Sequence, residues 1–411
     1  MTFTLLIWPL LFLRMADNNY ILFDDDCREA LLPFTFTRPV AEIRCGILTI
    51  REKWEKSLNT RFSFLTQPYL QKKYPLQVKE INWLINGSVM PDPRLVAQVK
   101  ALQPGEAIAE NNLLIAVCTN EIPEHTTGWN MEKILSQSKI IAPSNLPRTI
   151  RKLTDIFSKV ADAFRDDYKL VTYKRRSLPV YESNKVSNRN DVFIEPGAVV
   201  EFAYLNASKG PIYIGKNAEV MEGAMIRGPV CIGEKSVVKM GAKIYGPTTI
   251  GPVCTVGGEI NNSVIFGFSN KAHDGFLGNA VIGEWCNLGA DSNNSNLKND
   301  YGEVKLWSYA TRSFERTGTQ FCGLIMGDHS KCGINTMFNT GTVVGVFANI
   351  FGAAFPRNFI PSYSWGGASG FTNYKIEHAL EVAKKVMARR NIELTEADIE
   401  ILRYISNLEG R

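Results

Sequence analysis

Residues 214–256 of this 411-residue chain read IGKNAEVMEGAMIRGPVCIGEKSVVKMGAKIYGPTTIGPVCTV, with an aliphatic residue at every sixth position. Those positions are Ile214, Val220, Ile226, Ile232, Val238, Ile244, Ile250 and Val256. A six-residue period is typical of a left-handed parallel β-helix, in which coils of about three hexapeptides stack short strands on one another. Glycine follows several of these positions, where a tight corner leaves little room. The stretch therefore predicts a β-helix.

The same rhythm appears on both sides of this block. It is seen at Ile194, Val200, Ile282, Leu288, Met326, Cys332, Phe338, Val344 and Ile350. We therefore expect the β-helix to cover residues 191–355, with interruptions near residues 261–278 and 291–323. Loops carried by a rigid scaffold are where sites usually lie. The ridge residues themselves need no role beyond packing.

Composition restricts the possible classes of protein. A chain of 411 residues exceeds one hydrophobic core, so several domains are expected. Lys and Arg outnumber Asp and Glu by 46 to 41, which is too small an excess to indicate nucleic-acid binding but suits a small anionic substrate. The eight cysteines contain no CxxC pair, so we predict reduced, buried thiols in a cytoplasmic protein.

The two ends of the chain are interpreted separately. Residues 1–18 are predicted to be an extension or leader-like segment, because the apolar run lacks a basic start and is too short to span a bilayer. Residues 356–411 are predicted to form a Gly-rich joint and two helices, the second capped by Thr395. These helices are expected to pack against the β-helix or a neighbouring subunit.

Residues 19–190 are predicted to form an α/β domain. Buried strands are expected at residues 20–23, 81–85 and 113–118, and amphipathic helices at 46–58 and 94–102. Strands that alternate with helices favour a layered, Rossmann-like domain.

The segment LPFTFTRPV at residues 32–40, which follows the first strand, resembles the opening of sugar-phosphate nucleotidyltransferases. The resemblance implies that a triphosphate is held by backbone N–H groups and cations, for which Arg28, Arg38 and Arg44 are candidates. It also implies Mg²⁺ held by Asp24 and Asp25, or by the adjoining Asp26. The chain departs from that family in three places: DDDC at residues 24–27 replaces the glycine-rich loop, Val40 replaces a lysine, and Ser88 replaces a metal-binding Asp.

The two predicted interruptions carry a second resemblance. Residues 269–283 read SNKAHDGFLGNAVIG and residues 289–300 read GADSNNSNLKND. Together they resemble the acetyltransferase half of the bifunctional family that makes UDP-N-acetylglucosamine, and the whole architecture resembles its shortened bacterial variant. The likeness implies acetyl-CoA as co-substrate, an amino-sugar phosphate as acceptor, a nucleoside triphosphate for the front domain, and a homotrimer whose acetyl-transfer cleft lies between subunits.

Acetyl transfer to an amine needs a base and an oxyanion donor. His273 is the candidate base, because a neutral imidazole can take the proton of the arriving ammonium. Asn296, or a main-chain group near Gly289 and Ala290, is the candidate donor for the oxyanion. Lys271 is predicted to hold the sugar phosphate, and His329 and Lys331 to lie near the coenzyme A groove or to cover a corner.

Three functions remain open at this stage. The chain could carry both activities, could be a β-helix acyltransferase with a degenerate front domain, or could be a non-catalytic regulatory scaffold. A metal-dependent β-helix hydratase is excluded, because it needs three histidine ligands and only His273 and His329 lie in the β-helix region.

Overall fold

The computed structural model describes residues 18–123 and 130–409, so most of the predicted extension at residues 1–18 lies outside the described residues. The front module contains a six-stranded mixed sheet in the order β2-β1-β3-β5-β4-β6. Its strands are β1 (Asn19–Phe23), β2 (Phe62–Leu65), β3 (Asn82–Asn86), β4 (Glu106–Glu110), β5 (Leu113–Thr119) and β6 (Lys139–Ile141). Its helices are α1 (Cys27–Ala30), α2 (Ile50–Leu58), α3 (Pro93–Ala101), α4 (Met131–Gln137), α5 (Leu153–Ser158) and α6 (Val160–Thr172). The predicted α/β module is confirmed, and β1, β3 and β5 are the three predicted strands.

The front helices begin and end where local chemistry dictates. Thr49 caps α2 in a capping box with Glu52, and Asn59 ends the helix in the left-handed conformation. This is later than the predicted start at residue 46, because Gly46 has a φ of 91° and its surroundings leave no room for a side chain.

The second module is a left-handed parallel β-helix with three faces, as predicted. Face 1 contains β7 (Lys185–Ser187), β10 (Tyr204–Asn206), β13 (Met225–Arg227), β16 (Lys243–Tyr245), β19 (Glu259–Asn261) and β22 (Phe276–Gly278). Face 2 contains β8 (Val192–Ile194), β11 (Ile212–Ile214), β14 (Val230–Ile232), β17 (Thr248–Ile250), β20 (Val264–Gly267), β23 (Val281–Glu284), β28 (Ile325–Met326), β31 (Val343–Val344) and β33 (Phe359–Ile360). Face 3 contains β9 (Val199–Val200), β12 (Glu219–Val220), β15 (Val237–Val238), β18 (Thr255–Val256), β21 (Asn270–Lys271), β24 (Asn287–Leu288), β29 (Lys331–Cys332), β32 (Asn349–Ile350), β34 (Ser364–Gly367) and the antiparallel β35 (Gly370–Asn373).

The ridge residues pair coil on coil. Ile214, Ile232 and Ile250 are aligned along face 2, and all three are completely buried. Glycine must follow them, because a Cβ on Gly233 would lie 2.4 Å from the carbonyl carbon of Gly251 in the next coil. The six-residue period of the sequence therefore corresponds to one apolar ladder on each of the three faces.

The first predicted interruption, residues 261–278, is not a loop that leaves the scaffold. It contains β20, β21 and β22, which continue all three faces. Two steps of the ladder, Ile260 to Ile265 and Leu277 to Ile282, are five residues long, and Lys271 takes a ladder position opposite Val256. A shortened step and a lysine in the ridge hide the period from the sequence.

The second predicted interruption is confirmed as an excursion. After β25 (Asn293–Asn294), which pairs with β30 (Met337–Phe338), residues 295–323 leave the solenoid and form a hairpin of β26 (Lys305–Ser308) and β27 (Ser313–Arg316). Val304 and Leu306 of this excursion are buried in the same apolar cluster as the front sheet. The excursion therefore helps to join the two modules.

The front module packs on face 2. The rings of Phe34 and Phe266 lie 4.9 Å apart, and the Thr249 hydroxyl donates to the carbonyl of Gly46. Residues of both modules share one core cluster. This explains why β14 is buried at all three positions, whereas a strand with one solvated face alternates.

The C-terminal segment covers one edge of the β-helix. The expected joint is a hairpin of β34 and β35, followed by α7 (Ile376–Ala388) and α8 (Glu396–Glu409). Thr395 caps α8 as predicted, because its hydroxyl accepts from the N–H of Asp398. All eight cysteine thiols are buried, as predicted. In the described ranges, no helix is both long and apolar enough to cross a membrane.

Candidate functional site

His273 lies on the corner at residues 272–275, which joins β21 on face 3 to β22 on face 1 and which we name the His273 corner. Main-chain bonds fix this corner to both adjacent coils. The N–H of Glu259 donates to the carbonyl of Gly275, and the N–H of Asp291 donates to that of Asp274, each at 3.1 Å. The imidazole is exposed, and no hydrogen bond joins it to any other described residue. A rigid backbone therefore presents a ring whose nitrogens are available.

Lys271 lies inside the β-helix, directly before this corner. Its side chain is 2% exposed, and its Nζ donates to the carbonyl oxygens of His273 at 2.5 Å and Asp274 at 3.2 Å. Burial lowers the pKa of Lys271 to about 8, although the carboxylates of Asp274 and Asp291 oppose that shift. The structure thus places the amine beneath the His273 corner and not on the surface where a sugar phosphate would be held.

Asn296 lies where the excursion begins, at the far end of β22 from His273. Its Nδ2 donates to Oδ1 of Asn279 at 2.7 Å, and its carbonyl accepts from the N–H of Cys322. The three residues of β22 separate it from the His273 corner by roughly 10 Å. Within one protomer the structure does not bring these two side chains into contact.

Gly289 and Ala290 lie on the equivalent corner of the next coil, so the structure brings them beside His273. The N–H of Gly289 donates to the carbonyl of Cys332, and the carbonyl of Ala290 accepts from the N–H of Asn335. The N–H of Ala290 donates to no other described residue. A backbone donor is therefore available one coil, about 4.8 Å, from the His273 corner.

His329 occupies a different corner, between faces 2 and 3. It belongs to a column of rings, one from each coil, which we name the aromatic stack: Phe268, Trp285, His329, Phe347 and Tyr363. The ring centroids of His329 and Phe347 are 4.6 Å apart and their planes differ by 4°. Each of the five residues has a left-handed backbone with φ between 54° and 62°.

The His329 imidazole is stacked between aromatic rings and lines the wall of a cavity that also contains Lys73, Asp328 and Asp398. Its Nδ1 is buried and has no hydrogen-bond partner. Burial holds the pKa of His329 well below its usual value, and the nearby ammonium of Lys331 adds to that shift. The Nζ of Lys331 donates to the carbonyl of His329 at 2.9 Å, and burial lowers the pKa of this lysine also. These two residues lie away from the His273 corner.

The carboxylates that follow β1 are committed to the front module itself. Asp24 accepts from the N–H of Val40 at 2.8 Å and from the hydroxyl of Thr66 at 2.5 Å. Burial raises the pKa of Asp24 to about 6. Asp25 accepts from the N–H of Cys27 and from Nδ2 of Asn86, and it pairs with the guanidinium of Arg151.

The donor set does not fit Mg²⁺. The ion needs near-octahedral oxygen ligands with lone pairs free to reach it. Both oxygens of Asp24 and both of Asp25 already accept hydrogen bonds, and Arg151 bridges Asp25 to Asp26. Among the described residues, no three His, Cys, Asp or Glu side chains are arranged to hold a metal ion.

The three candidate arginines are also engaged. Arg28 donates to the carbonyl of Thr35 and to the hydroxyl of Tyr69. Arg44 donates to the carbonyl of Phe266 across the module boundary at 3.1 Å. The structure therefore places both guanidinium groups in the scaffold.

Arg38 joins the front module to the β-helix. It is buried, pairs with Asp328, and contacts Glu284 at 3.3 Å. These groups line a cavity of about 280 Å³ between the front module, the β-helix and the C-terminal helices. The guanidinium thus contacts carboxylates of the β-helix, away from Asp24 and Asp25.

Arg151 was missed from the sequence, and the main-chain N–H of Ala290 was located only approximately. Arg151 lies 126 residues from Asp25, and no local motif connects the two. The free N–H of Ala290 was included only as one of several main-chain candidates. Corner stacking could have identified it, because successive corners of a β-helix lie side by side.

An α/β front module followed by a left-handed β-helix, with an exposed imidazole on a corner, defines a two-module class of protein. Residues 20–176 match the family model described as "Sugar nucleotidyl transferase". That match covers the front module and stops before the first coil.

Two curated archaeal relatives match part of the chain. A bifunctional sugar-1-phosphate nucleotidylyltransferase/acetyltransferase of Sulfurisphaera tokodaii is 33% identical over 96 residues, which is 23% of each chain. A bifunctional protein GlmU of Methanocaldococcus jannaschii is 33% identical over 87 residues, which is 21% of each chain. The chain thus spans less than a quarter of the length of these relatives.

Solved structures show only distant likeness. An Arabidopsis UDP-N-acetylglucosamine acyltransferase is 15% identical, covering 52% of this chain and 80% of that one, with a TM-score of 0.23. The N-acyltransferase AntD of Bacillus cereus is 13% identical, covering 54% and 96%, with a TM-score of 0.18. At these values the architecture described above, and not the likeness, defines the fold.

Proposed function

We propose that this protein is a transferase of nucleotide-sugar biosynthesis whose β-helix moves an acetyl group from acetyl-CoA to the amine of an amino-sugar phosphate. Glucosamine 1-phosphate is the expected acceptor. One observation carries the proposal: an exposed imidazole without a hydrogen bond to any described residue lies on a fixed corner, and on the next corner the N–H of Ala290 donates to no described residue. The two bifunctional relatives support the same chemistry.

His273 acts as the general base. It takes a proton from the acceptor's ammonium, and the freed nitrogen attacks the thioester carbonyl carbon to form a C–N bond. The oxyanion of the tetrahedral intermediate accepts from the N–H of Ala290, which is already fixed in place. Collapse breaks the C–S bond, and the imidazolium gives its proton to the leaving thiolate. The attacking nitrogen releases its remaining extra proton to solvent as the neutral amide forms, so one proton is released in each turnover.

Other residues take supporting roles. Lys271 is a positioning residue, because it binds the carbonyl of His273 from inside the β-helix. Asn296 is a second oxyanion donor if a neighbouring subunit completes the cleft. His329 and Lys331 have structural roles in this proposal, because the His329 ring is stacked on Phe347 and Nζ of Lys331 donates to the carbonyl of His329.

The proposed cleft lies between subunits of a trimer. Face 1 exposes large apolar side chains, including Tyr204 at 54% and Met225 at 53%, which a soluble surface rarely gathers on one strand pair. Light scattering coupled to gel filtration tests this assembly. A particle of about three times the 46.0 kDa chain supports it, and a monomer contradicts it.

A thiol-release assay tests acetyl transfer. Purified protein is mixed with acetyl-CoA and, in parallel, with several amino-sugar phosphates and their N-acetylated forms, and free coenzyme A is followed with a thiol reagent. We expect release only with a free amine, and mass spectrometry identifies the acetylated sugar. If no amine is acetylated by the wild-type protein, the acetyltransferase proposal fails.

Nucleotidyl transfer by the front module is the second candidate, favoured by the family match over residues 20–176. Its test is pyrophosphate release from UTP with N-acetylglucosamine 1-phosphate, followed by detection of the UDP-sugar. Acetylation without pyrophosphate release defines a single-activity enzyme with a degenerate front module. Absence of both reactions favours a non-catalytic scaffold.

A further inference from the structure

We infer that the guanidinium of Arg151 takes the place of a divalent cation at the carboxyl end of β1. The front module then binds no metal ion through its own carboxylates. The inference rests on the likeness of residues 20–176 to sugar nucleotidyltransferases, because the expectation of Mg²⁺ at Asp24 and Asp25 came from that resemblance. It is independent of the acetyltransferase proposal.

The first carboxylate is closed to an ion by its neighbours. Asp24 is 4% exposed, and a main-chain N–H and a hydroxyl occupy its two oxygens. These bonds fix the chain at Val40 and Thr66 against the end of β1. Asp24 thus organises the loop, and releasing it toward a metal would leave a buried N–H without a partner.

The second carboxylate is the one that Arg151 neutralises. Asp25 is almost fully buried, with its side chain 1% exposed, and Arg151 donates to it through one terminal nitrogen and to Asp26 through the other at 2.7 Å. Burial disfavours ionisation of Asp25, but hydrogen bonds from Cys27 and Arg151 outweigh it and lower its pKa. A planar guanidinium that donates charge-assisted hydrogen bonds to two carboxylates makes a strong, directional contact.

The neighbouring strand end supplies no substitute ligand. Ser88 stands where the family has a metal-binding Asp, and it is completely buried. Its hydroxyl and its N–H both donate to Oδ1 of Asn86, while Nδ2 of Asn86 donates to Asp25. The amide therefore presents a hydrogen-bond donor to Asp25, which is the polarity that suits a carboxylate and opposes a cation.

Charge leads to the same conclusion. Arg151 already balances one of the two carboxylates Asp25 and Asp26, and a divalent ion beside it would face a fixed positive charge within a few ångströms. Binding would require Arg151 to leave, at the cost of both bonds. Removing Arg151 should therefore create an affinity that the wild-type protein lacks.

Metal titration of the full-length protein tests the inference. Mn²⁺ alone serves as the probe, read by electron paramagnetic resonance of free Mn²⁺, and thermal unfolding is recorded in EDTA and in millimolar Mg²⁺. We expect the wild-type protein to show no saturable Mn²⁺ site and the same Tm in both buffers. Arg151→Gln should lower Tm by roughly 2–8 °C in EDTA and recover part of it in Mg²⁺.

Arg148→Gln is the control for loss of a nearby arginine, because Arg148 pairs with Asp166 on the surface and contacts neither Asp25 nor Asp26. It should show no metal response. A saturable Mn²⁺ site in the wild-type protein that Asp25→Asn removes would overturn the inference, even if Arg151→Gln failed to fold. Acetyl transfer is assayed separately in EDTA, so its failure would affect the proposed function and leave this inference standing.

Discussion

The two histidines of the β-helix occupy corners of the same solenoid and have opposite surroundings. His273 is exposed on the corner between faces 3 and 1, and its imidazole makes no hydrogen bond to a described residue. His329 is 7% exposed on the corner between faces 2 and 3, stacked against Phe347 and with its Nδ1 unpaired. One ring is available for proton transfer, and the other packs as one aromatic ring of a stacked column.

The difference arises from what covers each corner. The C-terminal helices close over the aromatic stack, and the hydroxyl of Tyr363 donates to the carbonyl of Leu402 in α8. Nothing among the described residues covers the His273 ring. In a solenoid every corner repeats the same backbone, so the covering segments decide which side chain can react.

Replacement of His273 should give the largest effect. We expect His273→Ala to lower kcat/KM for acetyl transfer by about 10²–10⁴-fold, because a positioned general base contributes that much. Tm should be unchanged, because the exposed ring makes no hydrogen bond to a described residue. Initial rates of coenzyme A release measure it. His378→Ala, which removes an exposed histidine of α7, should keep the wild-type rate. Equal rates for His273→Ala and wild type would exclude the base role.

Replacement of His329 should affect stability and leave chemistry intact. His329→Ala leaves a gap in the aromatic stack, and we expect the free energy of unfolding to fall by about 2–5 kcal/mol. His329→Phe should be close to neutral, because Phe268 and Phe347 adopt the same left-handed backbone at equivalent corners. Urea unfolding measures both. If His329→Phe abolished acetyl transfer while folding normally, His329 would belong to the site.

The β-helix was predictable because its ridge is a local, repeating feature. Eight successive positions from Ile214 to Val256 define it without any distant contact. Residues 261–278 were predicted as an interruption, since two five-residue steps and the interior Lys271 break the period. Periodicity detects apolar ladders. It cannot recognise a polar residue at a ladder position whose hydrogen bonds are made to nearby main-chain carbonyls, as those of Lys271 are.

The site was less predictable, since burial depends on contacts between distant segments. Arg38 reads as a phosphate ligand in its local sequence, yet its partners Glu284 and Asp328 are 246 and 290 residues away. The exposure of His273 and His329 likewise depends on distant segments, because the C-terminal helices pack over the aromatic stack that contains His329. The large separation in sequence between contacting residues, and not their residue types, prevented a correct prediction of these positions.

Lys271 should show how far the His273 corner depends on support from within. Lys271→Met removes the bonds to the carbonyl groups of His273 and Asp274 while keeping the volume. We expect kcat/KM to fall by roughly tenfold, since small displacements of a catalytic group are costly. The fall should appear mainly in kcat, because Lys271 is not expected to touch the acceptor.

The matched variant for this test is Lys331→Met, which removes the equivalent bond from a lysine to the carbonyl of His329. It should leave the acetylation rate unchanged. If Lys271→Met raised KM for the sugar phosphate and left kcat unaltered, Lys271 would bind the phosphate as the sequence suggested. Its side chain, which is buried in the free protein, would then have to move outward when the substrate binds.

The smallest effect should be a pH dependence of stability that belongs to His329. Burial holds the pKa of His329 well below its usual value near 6.5, so the unfolded chain binds a proton that the folded protein refuses. Stability from this group is complete above the unfolded pKa and is lost as pH falls below it, by at most about 1.4 kcal/mol per pH unit. His329→Phe cannot show this loss.

The difference in free energy of unfolding between wild type and His329→Phe should therefore be constant above pH 7. Toward pH 5 the wild type should become progressively less stable relative to His329→Phe. Asp24 and the other carboxylates are present in both proteins and cancel in that difference. A difference that stayed constant from pH 8 to pH 5 would mean that the His329 ring accepts a proton in the folded state, and the contrast between the two histidines would then lose its physical basis.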